Sequence, residues 1–235
     1  GASDHPIRRQ LPLLIVSGVA LGFNWILLFE AYNYTTVAVA TLCYYMAPIF
    51  ILLVSPVLLK EALTKRKIVC VVLAFIGMIL VSGVLHGGDG STNMKGILFG
   101  LGAAVLYATV VLLNRMIKGV PAFERTIVQL ATTAFVLLPY VLLTDRPDAS
   151  VLTPAVIGLI LFVGIVHTGI AYALYFGAFE QVSAQTAALF SYIDPIVAIL
   201  LSALVLAEPM GAPEIIGTVL ILGATIANEF QPSEK

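Results

Sequence analysis

The sequence predicts an all-α polytopic membrane protein of eight transmembrane helices arranged as an inverted-topology repeat. Three observations predict it. Of the 235 residues, 60% are hydrophobic and only 11% charged, at a mean hydropathy of +1.04. Soluble domains run at about 45–50% apolar and about 25% charged, so a soluble core cannot absorb the excess. Eight apolar runs approach or reach the length needed to cross the hydrocarbon. One stretch recurs 147 residues later, in a span that crosses the membrane in the opposite sense.

The spans follow in chain order. A crossing helix needs about 20 apolar residues. The runs are Leu11–Glu30, Val37–Leu59, Ile68–Leu85, Gly96–Ile117, Thr126–Leu143, Ala155–Phe179, Ala184–Leu206 and the short Ile215–Asn228. The breaks, TKRK, HGGDGSTNMK, TDRPDAS and EPMGAPE, are rich in Gly, Pro, Ser or charge and leave no room for a soluble domain. The first run is too long and too well filled for a cleaved signal peptide. The opening GAS reads as a cloning remnant or the cut end of a longer chain.

Charge orients the spans. One side holds Arg8, Arg9, Lys60, Lys65, Arg66, Lys67, Arg115, Lys118, Arg125 and Lys235; the other holds Lys95 and Arg146, a ten-to-two split. The positive-inside rule places both termini in the cytoplasm. The same split supports the span count, because an error of one span would scramble it.

The repeat sets Ala31–Glu61 over Ala178–Glu208 without a gap, and ten of 31 positions are identical. Leu matches are cheap in membrane proteins. Tyr45 with Tyr192, Pro48 with Pro195 and Glu61 with Glu208 are not. With one residue dropped, Gly77 meets Gly223 in the next helix. The second and seventh spans lie five spans apart, so they run in opposite directions, as in the inverted repeats of many secondary transporters. Each full repeat then holds five helices. The chain reads as the remainder of a 5+5 fold that starts at its third helix.

These stretches, AYNYTTVAVATLCYYMAPIFILLVSPVLLKE and AFEQVSAQTAALFSYIDPIVAILLSALVLAE, each with the Gly-containing helix after it, resemble the EamA-type transporters of the drug/metabolite transporter superfamily. The resemblance covers nearly the whole chain. It implies ten helices in two inverted halves around a central cavity, with cytoplasmic termini, in proteins that export amino acids or other metabolites or exchange sugar conjugates and phosphates. This chain lacks the first two helices of that pattern. Its expected parts are a cytoplasmic segment (1–10), the last three helices of the first repeat (11–86), a loop (87–95), a complete second repeat (96–230) and a cytoplasmic tail (231–235).

Candidate site residues come from polarity at membrane depth. Asp194 lies mid-way along the seventh span, where an ionised carboxylate costs about 2.5–3.5 kcal/mol on insertion scales. It binds a substrate amine or takes up a proton; the structural alternative is a hydrogen bond across helices. The matching residue in the other half is Ala47, so this carboxylate is no symmetric scaffold element. Pro48 and Pro195 free the carbonyls of Tyr44 and Ser191, and kinks at matching depth mark a centre and a bend for gating. Tyr44, Tyr45, Tyr192, Tyr107, Asn24, Trp25 and His167 complete a cavity suited to a zwitterion with an apolar or aromatic side chain. For His167 the readings are a proton relay or a helix–helix hydrogen bond. Asn114 shares the face of Tyr107. Glu61 and Glu208 end matched helices and read as solvated ends or as clamps closing one gate each. Gly18–Gly22 and Gly96–Gly100 are small-xxx-small packing faces.

The rest is exclusion. Cys43 and Cys70 lie in apolar runs, with no disulfide framework and no metal-ligand spacing. No HExxH, GxSxG, P-loop or paired carboxylates appear, so no catalytic residue, metal or cofactor is expected. No basic stripe with interleaved aromatics points to nucleic acid. The expected partners are a small-molecule substrate, with a proton as an available coupling ion, and the lipid bilayer. The sequence leaves the oligomeric state open. The expected setting is a bacterial cytoplasmic membrane. The expected function is a secondary transporter exporting amino acids or related compounds by alternating access. The alternatives are an assembly-dependent membrane subunit, or a carrier of another metabolite class.

Overall fold

A computed structural model of the chain describes residues 6–35, 37–81, 94–144, 152–178, 181–194, 197 and 211–229. All regular structure among them is helical. Helix α1 spans Pro6–Tyr34, α2 Val37–Tyr44, α3 Ala47–Leu58, α4 Lys65–Val81, α5 Met94–Met116 and α6 Ala122–Thr144. The next span is composite: α7 (Pro154–Phe162), a π-helical stretch (Val163–Ile170) and α8 (Ala171–Ala178). Then come α9 (Ala184–Phe190) and α10 (Ala212–Glu229). Among the described residues five helices are long and apolar enough to cross a membrane: Ile7–Tyr34, Val39–Leu58, Met94–Met116, Ala122–Thr144 and Pro154–Ala178. The chain is therefore a polytopic membrane protein.

Five of the eight expected spans appear at crossing length with shifted ends, and the third, seventh and eighth are represented by the shorter α4, α9 and α10. The first reaches back to Pro6, because nothing between Pro6 and Leu11 breaks a helix. The second is two helices, because Pro48 cannot donate to the preceding turn. The chain pauses at Tyr45–Met46 and restarts, with Met46 N–H donating to the Cys43 carbonyl at 3.1 Å. The seventh span breaks at the matching place: α9 ends at Phe190, and Tyr192 N–H donates to the Leu189 carbonyl at 3.1 Å. Pro195, expected to cause this break, lies outside the described residues, as does Glu208.

Helix α1 packs against α5 and α6, α3 against α5 and α9, and α4 against α10. Lipid tails are as apolar as leucine, so close van der Waals fit drives this association. The expected glycine faces supply it. A Cβ on Gly18 would sit 2.7 Å from the Gln129 carbonyl oxygen, and one on Gly100 would sit 2.8 Å from the Cys43 Cβ. Gly77 is equally tight, 2.7 Å from the Gly217 carbonyl oxygen.

A polar cluster pins the α1–α5–α6 seam. Gln129 Nε2 donates to Ser17 Oγ at 2.7 Å and to Asn114 Oδ1 at 3.1 Å, and Thr133 Oγ1 donates to the Gly18 carbonyl at 2.9 Å. Asn114 thus belongs to the seam. Arg125, one of the ten basic residues on the more basic side, is fully buried. Its guanidinium donates to the carbonyls of Val120 at 3.1 Å and Phe176 at 3.3 Å, so it holds carbonyls at the α5–α6 turn and the end of α8.

The composite span stands apart. No residue of α7 or the π-helical stretch is buried, and a Cβ on Gly158 or Gly164 would meet nothing within 4 Å. Only α8 docks firmly, on α6, with Phe176 fully buried.

Candidate binding cavity

The two helix breaks build the site. At each break the backbone is taken out of the helical ladder, and side chains around it face a shared space. Two adjoining chambers of about 510 and 180 Å³ share Tyr107, Tyr172, Ser191 and Asp194 as lining. The larger adds His167, Ala171, Tyr175, Phe190 and Ile193. The smaller adds Tyr44, Tyr45, Ala47 and Pro48.

The aromatic wall is continuous. The ring centroids of Tyr44 and Tyr107 lie 5.4 Å apart, and those of Tyr44 and Tyr45 6.2 Å. Tyr107 and Tyr175 share a hydroxyl–hydroxyl bond of 2.7 Å, which bridges α5 to α8. Asp194 is the one acidic residue among the described lining of either chamber.

The structure thus brings together Asp194, Tyr44, Tyr45, Tyr107, His167 and Pro48 from the candidates named on sequence. It sets three behind the wall. Tyr192 is fully buried, stacked on Tyr45 at 5.9 Å, with its hydroxyl donating to the Tyr45 carbonyl at 3.0 Å. A helix break leaves backbone carbonyls without ladder partners, and here a tyrosine supplies one. Asn24 is fully buried and donates to the Ala103 carbonyl at 2.6 Å. Trp25 backs the wall through Tyr172, with centroids 6.1 Å apart.

Sequence reasoning missed Tyr172, Tyr175, Ser191 and Phe190. Tyr172 and Tyr175 sit three apart and share a helix face with each other. The π-helical stretch before them shifts that face relative to His167, which regular periodicity does not anticipate.

Glu61 closes one end of the bundle. Lys60 takes φ 55°, a left-handed turn that returns Glu61 N–H to the Ser55 carbonyl at 3.4 Å. The Glu61 carboxylate then accepts from the N–H groups of Ala184 (2.9 Å) and Gln185 (3.4 Å), the first turn of α9. A carboxylate at a helix N-terminus is favoured by the macrodipole. Arg115 Nε lies 3.8 Å from the same carboxylate, and Gln185 Nε2 donates to Ser55 Oγ at 2.5 Å. So Glu61 is no solvated helix end; it ties α3 to α9 and α5. Among the described residues no group of three or more His, Cys, Asp or Glu could hold a metal ion.

Comparison with known proteins agrees with this fold. A solved crystal structure superimposes with a TM-score of 0.81 at 20% sequence identity, covering 95% of this chain and 77% of that one. The uncharacterized transporter YxxF of Bacillus subtilis is 29% identical over 199 residues, covering 83% of this chain. This chain spans 62% of that relative's length. An uncharacterized transporter of Clostridium kluyveri is 28% identical over 225 residues, covering 94% of this chain and 72% of its own length. The sequence profile of the EamA-like transporter family matches residues 2–83 and 94–228, nearly the whole chain. The chain belongs to the EamA-like transporter family, within the drug/metabolite transporter superfamily, a family of transporters and not of enzymes.

Proposed function

We propose that this chain is the core of a secondary transporter that exports a small metabolite, an amino acid or a related compound. It works by alternating access between two inverted halves. The observation that carries the reading is that residues equivalent in the two halves touch each other. Tyr45 stacks on Tyr192 at the offset of 147. Carried back into the first span, the same offset sets Trp25 against Tyr172, and these rings also meet. Helices α4 and α10, which carry the matched Gly77 and Gly223, pack together. Equivalent residues meet in this way where they straddle a two-fold axis, and a transporter's binding site lies at such an axis near mid-membrane. The two chambers adjoin these pairs.

In this reading the halves are residues 11–86 and 96–230, and both termini are cytoplasmic. Glu61 then latches the cytoplasmic end. The composite span, exposed along α7 and the π-helical stretch, is the place for two further helices. The first span is held by α5 and α6, whereas among the described residues no such pair of helices buries α7 or the π-helical stretch of its equivalent. That favours a second reading, a membrane subunit active only when assembled with those helices.

Uptake of labelled aromatic and small neutral amino acids into proteoliposomes tests the first reading, with and without a pH gradient. Saturable flux that Asp194→Asn abolishes supports it. Flux that appears only when two upstream helices are restored supports the second. No flux from either form rejects both.

A further inference from the structure

We propose that the two chambers select an organic ammonium ion: an arylalkyl amine binds there more tightly than the amino acid or carboxylate of the same skeleton. This names the ligand class of the transport reading above and rests on it.

The charge of the lining carries the argument. Asp194 lines both chambers, and the described lining residues include no Lys or Arg. Arg115 and Lys118 line a separate cavity of about 460 Å³ beside Glu61. An ionised Asp194 in a membrane interior needs a counter-charge, and the described lining holds no permanently charged cation to supply it. A bound ammonium supplies it. The walls favour the same choice. Tyr107 and Tyr172 face both chambers, Tyr44 and Tyr45 the smaller. Aromatic faces attract cations through the ring quadrupole, and more strongly once desolvated. Tyr45 is held by its stacking on Tyr192, so its ring is fixed before the ligand arrives.

A ligand carboxylate meets the opposite conditions. It would lose its hydration beside Asp194 with no Lys or Arg in the described lining to receive it. The hydroxyls of Tyr107 and Tyr175 bond to each other, which uses one of their two protons, and that of Tyr192 is given to the Tyr45 carbonyl. Among the described lining, His167 is the one side chain that can gain positive charge, and it lines only the larger chamber. A zwitterion can therefore reach partial compensation there; a bare carboxylate or phosphate gains nothing from Asp194.

The single Trp of the chain is a built-in reporter. Trp25 contacts Tyr172, which lines both chambers. Phenethylamine, phenylalanine and 3-phenylpropionate share one ring and differ in charge. Each is titrated into the purified chain in zwitterionic nanodiscs, following indole emission, with calorimetry as a second readout. The expected result is saturable binding of the amine, binding of phenylalanine weaker by about tenfold or more, and none of the carboxylate. Asp194→Asn should weaken the amine by about tenfold or more while Asp194→Glu keeps it, with helical circular dichroism unchanged in both. Phenylalanine binding as tightly as the amine overturns the proposal, above all if His167→Ala removes its affinity. So does binding of the carboxylate, an unchanged Asp194→Asn, or silence towards all three. An amino acid that binds best and is carried in the flux assay leaves the transport reading standing while this one falls.

Discussion

Asp194, Tyr192 and Gln129 show what single residues do in this membrane interior. Asp194 was legible because a lone carboxylate near the middle of a span is too costly to face lipid. Tyr192 was legible as central but not in role: its place beside a proline break looks the same whether the ring lines a cavity or mends a carbonyl. The structure has it donating to Tyr45 at 3.0 Å. Tyr192→Phe should therefore destabilise the fold by about 0.6–1.7 kcal/mol, the range of interhelical bonds in membranes, with little change in ligand affinity. Thermal unfolding in micelles set beside the binding titration checks this; lost affinity at unchanged stability would contradict it. Gln129 gives a companion case. It donates to Ser17 and Asn114 from the centre of a three-helix seam. Gln129→Ala loses both bonds and should cost about 1–3 kcal/mol in the same assay. Nothing in the sequence marks Gln129 or Arg125 as buried, because each sits within four residues of a span end, where polarity is ordinary.

At the scale of elements, glycine separates packed helices from the exposed one. Gly18 and Gly158 both lie in apolar spans, but only Gly18 belongs to a small-xxx-small face. Only Gly18 faces a backbone carbonyl at 2.7 Å from where a Cβ would stand, while Gly158 faces nothing within 4 Å. Gly18→Leu should cost about 1–3 kcal/mol or prevent insertion of a stable bundle. Gly158→Ala should stay within about 0.5 kcal/mol of the parent. Equal effects at the two sites, read by thermal unfolding of both variants, would mean that the composite span is packed as tightly as α1. The Glu61 tie is the other prediction at this scale. Its carboxylate serves N–H groups of Ala184 and Gln185 that Ser183, bonded to Thr186 N–H at 3.1 Å, leaves over. Glu61→Ala should cost about 0.5–2 kcal/mol, as loss of a helix cap does. A melting temperature unchanged by Glu61→Ala would return Glu61 to a solvated helix end. The sequence offered both roles for Glu61, because its partner lies 123 residues away and the contact is set by how two spans cross.

For the whole molecule, the pattern of touching equivalents has a consequence for the composite span. The first span is gripped through Ser17, Gly18 and Asn24, which bond or press against α5 and α6. At the offset of 147 these positions become Gly164, Ile165 and Ala171. Gly164 lies in open space and Ile165 is 60% exposed. If the halves are equivalent, a pair of helices like α5 and α6 belongs against that surface. The face is small and apolar at Gly164 and Gly169, which suits close helix approach and carries no charge to repel an apolar hairpin. A nitroxide on Gly164→Cys should collide freely with oxygen dissolved in the bilayer when this chain of 235 residues is reconstituted alone. Joined to a two-helix segment of the kind the longer relatives have room for, the same label should be shielded, while a label at Leu143, 87% exposed on α6, stays open. Shielding at both positions would point to self-association of the chain, and shielding at neither would remove the hairpin from this face and with it the equivalence of the halves.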